Sequence, residues 1–219
     1  YLNPGLLITL KLPKGSILKF QSKEGIRELI RNQRKEQKKL LPDPLYIEGK
    51  YNDVEVIIAF NWDNSDTELT QSYANGLLTP QGGTHLTGFR IALGKAISSV
   101  IANEKLLEGK NKGLEVTGED CREGMISAVS VRLAEAKFHS QTKDCLGNRE
   151  AQSACQKLTS DYLQHLFGSD PKIAKLIANR AIAAARGRIA AKKAREMVRK
   201  TSLNESNLSL PTKLADCIS

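Results

Sequence analysis

Long apolar stretches are missing from this sequence. Uninterrupted runs such as Val56–Phe60 reach five residues, far short of the roughly 20 needed to cross a bilayer. The N-terminus carries no charged segment leading into an apolar core and a cleavage site, so the expected location is the cytosol, with no membrane partner. Cysteine and histidine are scarce. Cys121, Cys145, Cys155 and Cys217 show no C-x-x-C spacing, and His85, His139 and His165 form no H-E-x-x-H pattern, so reduced thiols and no metal ligands are expected. The glycine pair Gly82-Gly83 runs into Thr84 and not into G-K-[ST], which excludes a P-loop, and no Ser-His-Asp order suggests a hydrolytic triad.

Charge of one sign is what the sequence has in excess, and it is localised. The net charge is +9 over 219 residues. Between Pro171 and Lys200 stand ten bases and a single acid, Glu196, while the remaining 23 bases are balanced by 23 acids. A cationic element this concentrated points to a polyanionic partner.

Along the chain, "YLNPGLLITLKLPKGSILKF" reads as two short strands about a Pro13-Lys14-Gly15 turn. Ser22 then precedes a helix marked by Ile26, Leu29 and Ile30 that frays toward Pro42. "LYIEGKYNDVEVIIAFNW" and "DTELTQSYAN" alternate with period two, predicting three antiparallel strands with Val54, Val56, Ile58 and Phe60 on the core face. After the loop "GLLTPQGG", Thr84 is placed to cap a helix striped by Leu86, Phe89, Leu93, Ile97, Val100 and Ile101. "TGEDCREG" carries overlapping capping signals for a brief helical turn, and "MISAVSVRL" reads as a strand. A helix follows over "NREAQSACQKLTSDYLQHLFG", with Gly168 as its stop. Pro171 opens a last helix of about 30 residues, or about 45 Å. Its second half lines up Arg188, Lys192, Arg195 and Arg199 on one row and Arg186, Lys193 and Lys200 on another. The polar, proline-containing end reads as a linker.

Two further stretches could bind a ligand. In "FHSQTKDCLGN", Gln141 and Lys143 offer hydrogen-bond donors to an anion, or else belong to an ordinary solvated loop. In "QGGTHL", the glycines either shape a turn or let a ligand or a neighbouring backbone approach the helix N-terminus. Residue types and spacing alone reach a nucleic-acid-binding α+β module and no further.

Taken together in order, "QGGTHLTGFRIAL", "TGEDCREGMISAVSV", "SQTK", "ARGRIAAKKAREMVRK" and "LPTKLADC" resemble the bacterial type II DNA topoisomerase B chain, of either the gyrase or the topoisomerase IV kind. The phenylalanine of "GGTHLTGFR" leans toward gyrase, and Thr212 stands where the family commonly has Gly. The resemblance implies a transducer domain over residues 22–200, preceded by the last strands of a GHKL ATPase domain (1–21) and followed by a linker (201–219) into a metal-binding TOPRIM domain. It implies an α+β fold, a mainly antiparallel sheet backed by helices, with a left-handed βαβ crossover and a long basic C-terminal helix.

It also implies roles. Gln141 and Lys143 would reach the nucleotide of the adjoining ATPase domain, Lys143 meeting the γ-phosphate as a transition-state stabiliser. Arg90, Arg186, Arg188, Lys192, Lys193 and Arg195 would face double-stranded DNA. ATP and Mg²⁺ would belong to the parent protein, with neither expected on this chain alone. The implied partners are DNA, a topoisomerase A chain in an A2B2 assembly, and a second B chain on ATP binding. Two rival readings are a stand-alone nucleic-acid-binding module of ribosomal-protein type and a purely structural connector.

Overall fold

The computed structural model describes residues 1–13 and 15–206. The chain opens on a two-stranded hairpin, β1 (Ile8–Lys11) and β2 (Ile17–Phe20), exposed on both faces. A short helix α1 (Ile26–Asn32) leads into β3 (Leu45–Tyr51), β4 (Val54–Trp62), β5 (Leu69–Ala74) and β6 (Leu77–Leu78). Helix α2 (Thr84–Asn103) then crosses to β7 (Met125–Arg132), and α3 (Arg149–Ser169) and α4 (Pro171–Ser206) complete the fold.

The sheet order is β3-β4-β7-β5-β6, antiparallel except for the parallel pair β5 and β7. β5 is therefore not the antiparallel neighbour of β4 that alternation predicted. β7 lies between them, and its sequence shows why: seven of its eight residues are buried, the near-continuous pattern of a strand covered on both faces and paired on both edges. Val54, Val56, Ile58 and Phe60 do share one face and are all buried. That face packs against Phe89, Leu93 and Ile97 of α2 and Leu163 of α3. Phe60 meets Phe89 and Trp62 edge-on, with ring centroids 5.2 and 5.7 Å apart, and the Trp62 indole donates to the Cys121 carbonyl at 3.0 Å. On the other face, Ala59, Ile126 and Ala128 lie under Ile26 and Ile30 of α1.

Several local expectations change. Ser22 caps no helix. Its hydroxyl donates to the Glu28 carboxylate at 2.6 Å, and α1, preceded by Gly25, stops after seven residues. Thr84 is the first residue of α2, preceded by Gly83, and its hydroxyl donates to the Asn148 carbonyl at 2.6 Å. Gly168 does not stop α3. The break comes at Asp170, whose carboxylate accepts from the Lys172 and Ile173 amides at 3.0 and 3.2 Å and so caps α4. α4 runs 36 residues, about 54 Å at 1.5 Å per residue, continuing to Ser206 beyond the boundary expected at 200. Lys14 of the first turn and the end of the expected linker, with Thr212 and Cys217, lie outside the described residues.

Candidate functional site

The segment Phe138–Asn148 forms a tight reversal built on main chain. Phe138 bridges Leu146, and the His139 amide donates to the Cys145 carbonyl at 3.0 Å. The tip closes when the Lys143 amide donates to the Ser140 carbonyl at 3.1 Å, after which Lys143 adopts a left-handed φ of 59°. A chain of short bonds stiffens the turn: the Ser140 and Thr142 hydroxyls lie 2.7 Å apart and Thr142 donates to the Asp144 carboxylate at 2.6 Å.

This loop is fastened to the start of α2. The Gln81 amide donates to the Asp144 carbonyl at 3.0 Å, the Leu146 amide to the Gly82 carbonyl at 3.1 Å, and the Thr84 amide to the Leu146 carbonyl at 2.9 Å. Gly83 has φ 141°, and a Cβ there would meet the Leu146 amide nitrogen and carbonyl oxygen at 2.5 Å. Gly83 thus admits a neighbouring backbone while Gly82, at a left-handed φ of 75°, shapes the turn, so the two glycines serve the two uses that the sequence left open. At the base, the Asn148 side chain accepts from the Lys137 amide at 2.6 Å and donates to the Glu135 carbonyl at 2.9 Å. Leu146 is fully buried, whereas Gln141 and Lys143 are exposed. The loop is held by its backbone, and its two ligand-type side chains project from a fixed platform.

Beneath it, His85 in the first turn of α2 is completely buried. Its Nε2 lies 3.5 Å from the Thr79 hydroxyl and its Nδ1 has no partner. Burial pushes its pKa down to about 4, so the ring is neutral at pH 7.

The basic residues divide differently. Arg90 on α2 donates twice to Glu68, at 2.7 and 3.2 Å, and Arg122 donates to the other oxygen of Glu68 at 3.1 Å. Burial would raise the Glu68 carboxyl, but hydrogen bonds from Arg90 and Thr70 and the Arg122 charge outweigh it and hold it below its usual value. Arg90 and Arg122 also line an open groove of about 850 Å³ with Gly94, Lys95, Ser98 and Ser99.

On α4, Arg188 donates to both oxygens of Asp120 at 2.8 and 2.9 Å and to the Glu115 carbonyl at 3.0 Å. Asp120 is buried and also takes the Thr117 amide and hydroxyl at 2.7 and 2.9 Å, the expected capping turn. Its burial would raise the pKa, and Arg188 and Thr117 overcome this and lower it. Arg186 donates to Asn111, and Arg180 to Glu123 and the Ser65 carbonyl. Arg186 and Arg188 thus fasten the helix to the domain, while Lys192, Lys193 and Arg195 stand exposed farther along it. Sequence reading did not single out Glu68, Asp120 as an ion-pair partner, or Arg122. The Thr117-x-x-Asp120 spacing revealed the cap, but nothing local shows an arginine 68 residues away.

Residues 25–197 match the family described as DNA gyrase B. The chain belongs to that family. It is 40% identical over 199 residues to the DNA gyrase B protein of Chlamydia muridarum, covering 89% of this chain and 24% of that protein. It is 38% identical over 224 residues to the DNA gyrase B protein of Eisenibacter elegans, covering 99% and 46%. Among solved structures it resembles the 43K ATPase domain of Thermus thermophilus gyrase B in complex with an aminocoumarin, at 32% identity and a TM-score of 0.78, covering 90% of this chain and 53% of that one. The chain spans about a quarter to half the length of these relatives, and within the gyrase B family it is the transducer region, with the α+β fold expected. Among the described residues no helix is long and apolar enough to cross a membrane.

Proposed function

We propose that this chain couples the nucleotide state of an adjoining ATPase domain to passage of duplex DNA in an ATP-dependent type II topoisomerase. The observation that carries the reading is the "SQTK" tip: a lysine and a glutamine exposed on a loop whose backbone is fastened to a buried helix start. A cation fixed in this way suits a phosphate group of a ligand held by another domain, and Gln141 adds an amide donor beside it. In this reading the chain supplies one corner of a nucleotide site, and the residues holding Mg²⁺ would lie in the ATPase domain.

ATP would supply the phosphoryl transfer, and Lys143 would stabilise negative charge at its terminal phosphate. Loop position is transmitted through main-chain bonds to α2, so a change in Lys143's partner is felt by the helix that forms the core with Phe60. In this reading residues 1–21 complete the ATPase domain, and their exposed Ile8, Leu10, Ile17 and Phe20 are covered by it. DNA would meet the groove beside Arg90 and Lys95 and the outer bases Lys192, Lys193 and Arg195 through its phosphates, without base reading. A topoisomerase A chain and a second B chain would complete the assembly.

The deciding experiment joins this chain to its ATPase domain and compares Lys143→Ala with wild type. Loss of one positioned charge donor predicts turnover down by about 100-fold, with Lys143→Arg partly active. Unchanged turnover and unchanged ATP-driven dimer closure would remove the sensor reading. For DNA, Lys95→Glu is the cleaner probe, because Arg90→Glu sets a second carboxylate against Glu68. DNA stimulation should fall more than basal turnover, and equal loss of both would contradict the groove assignment.

A further inference from the structure

Helix α4 changes character at Arg186-Gly187-Arg188. Before it, Ala174, Ile177, Ala178, Ala181, Ile182, Ala184 and Ala185 are buried against the domain. After it, every residue from Ala190 to Arg199 is exposed. The outer half extends past the body, and the contacts at its point of departure bear on its direction.

Two arginines hold it there. Arg186 reaches Asn111 in one 3₁₀ turn, and Arg188 grips Asp120 in another while also bonding the Glu115 carbonyl. Gly187 sits between them, exposed in the helix interior. A Cβ added to it meets nothing within 4 Å, and its φ is not left-handed. Neither a close approach nor an unusual backbone angle requires glycine at this position. Its remaining property is that it is the poorest helix former short of proline, so α4 bends there more readily than elsewhere.

We propose that Arg186-Gly187-Arg188 is a latched hinge. With the Arg188–Asp120 pair closed, α4 is one continuous lever. With the pair open, the outer half from Ile189 swings about Gly187 while the inner half stays packed. Asp120 is held ready for its partner by Thr117, and the body that Arg188 faces carries further acids, Asp66, Glu119 and Glu123, around the same hollow. The latch therefore has a preformed anionic seat to which it returns. This inference is independent of the nucleotide reading, because it uses neither Lys143 nor the loop that carries it.

Hydrogen exchange of the 219-residue chain, followed peptide by peptide, tests it. Asp120→Asn and, separately, Arg188→Gln should speed exchange of the amides of residues 187–192 by about tenfold, leaving those of 174–184 unchanged. Arg188→Gln alters a surface side chain and keeps the Thr117–Asp120 turn, so it reads the latch even where Asp120→Asn unsettles the fold. Gly187→Ala added to Arg188→Gln should slow the same amides by about fivefold. Faster exchange along the whole of α4 in Arg188→Gln, or no slowing from Gly187→Ala, would overturn the proposal.

Discussion

Lys143 and Arg188 are both cations that the sequence marks for a ligand, and the fold uses them in opposite ways. Lys143 stands exposed on a turn fixed by main-chain bonds to Gly82 and Thr84 and by close packing on Gly83. Arg188 is held by both oxygens of a buried carboxylate. The difference follows from how each segment is positioned. A loop cannot be rigid through its own repeating bonds, so here it borrows the backbone of α2, and its side chains are left for something outside. A helix is internally rigid but has no fixed direction, so its side chains must orient it against the body.

The largest test of this contrast is Gly83→Ala. A Cβ at 2.5 Å from the Leu146 main chain at φ 141° should destabilise the chain by about 3 kcal/mol or more, read as a shift in the urea midpoint. A loss below about 0.5 kcal/mol would mean that the loop is not held by its backbone. The same joint should respond to acid. His85 has its pKa lowered from 6.5 to about 4 in the folded chain, so the unfolded chain binds more protons between those values. Stability conferred by neutral His85 is complete above about pH 6.5, falls as pH drops and is lost by about pH 4, about 3 kcal/mol in all. Urea titrations across that window should show the slope, and His85→Gln should flatten it.

On the helix side, Asp120→Ala removes the seat of both Arg188 and the Thr117 turn. Because Arg188 lies at the surface, the expected loss is reduced to about 2 kcal/mol, measured by chemical denaturation. Stability equal to wild type would show α4 to be oriented by packing alone. The smallest effect belongs to Lys143→Gly. Glycine relieves the left-handed φ of 59°, so the midpoint temperature should hold or rise by about 1 °C, even as the proposed phosphate contact disappears. A clear fall would reveal a structural role for this lysine.

Much of the fold was legible because it rests on local periodicity. The face Val54, Val56, Ile58 and Phe60, the stripe of α2 and the cap of Thr117 on Asp120 all follow from spacings within one element. Sheet order was not legible, since a strand's pattern states how deeply it is buried and not which neighbour buries it, and β7 enters between β4 and β5 from the far side of α2. Helix ends misread for a related reason. Ser22, Thr84 and Gly168 have the right types for caps and stops, yet Glu28, Asn148 and Asp170 decide what those positions do. At the candidate site, Gln141 and Lys143 were legible by type and by resemblance, whereas the commitment of Arg90 to Glu68 depends on a contact 22 residues apart.

By itself the sequence determined the element types, the core face of β4, the concentration of positive charge on one helix, and a resemblance to type II topoisomerase B chains through motifs spread along the chain, which the family match narrows to gyrase B. Only the tertiary structure decided which glycines admit a backbone, which arginines orient the last helix, and which cations remain exposed. Periodicity and composition are local properties. The pairing of a charge with a carboxylate, and the contact of one main chain with another, are set by distances in space that sequence separation does not encode.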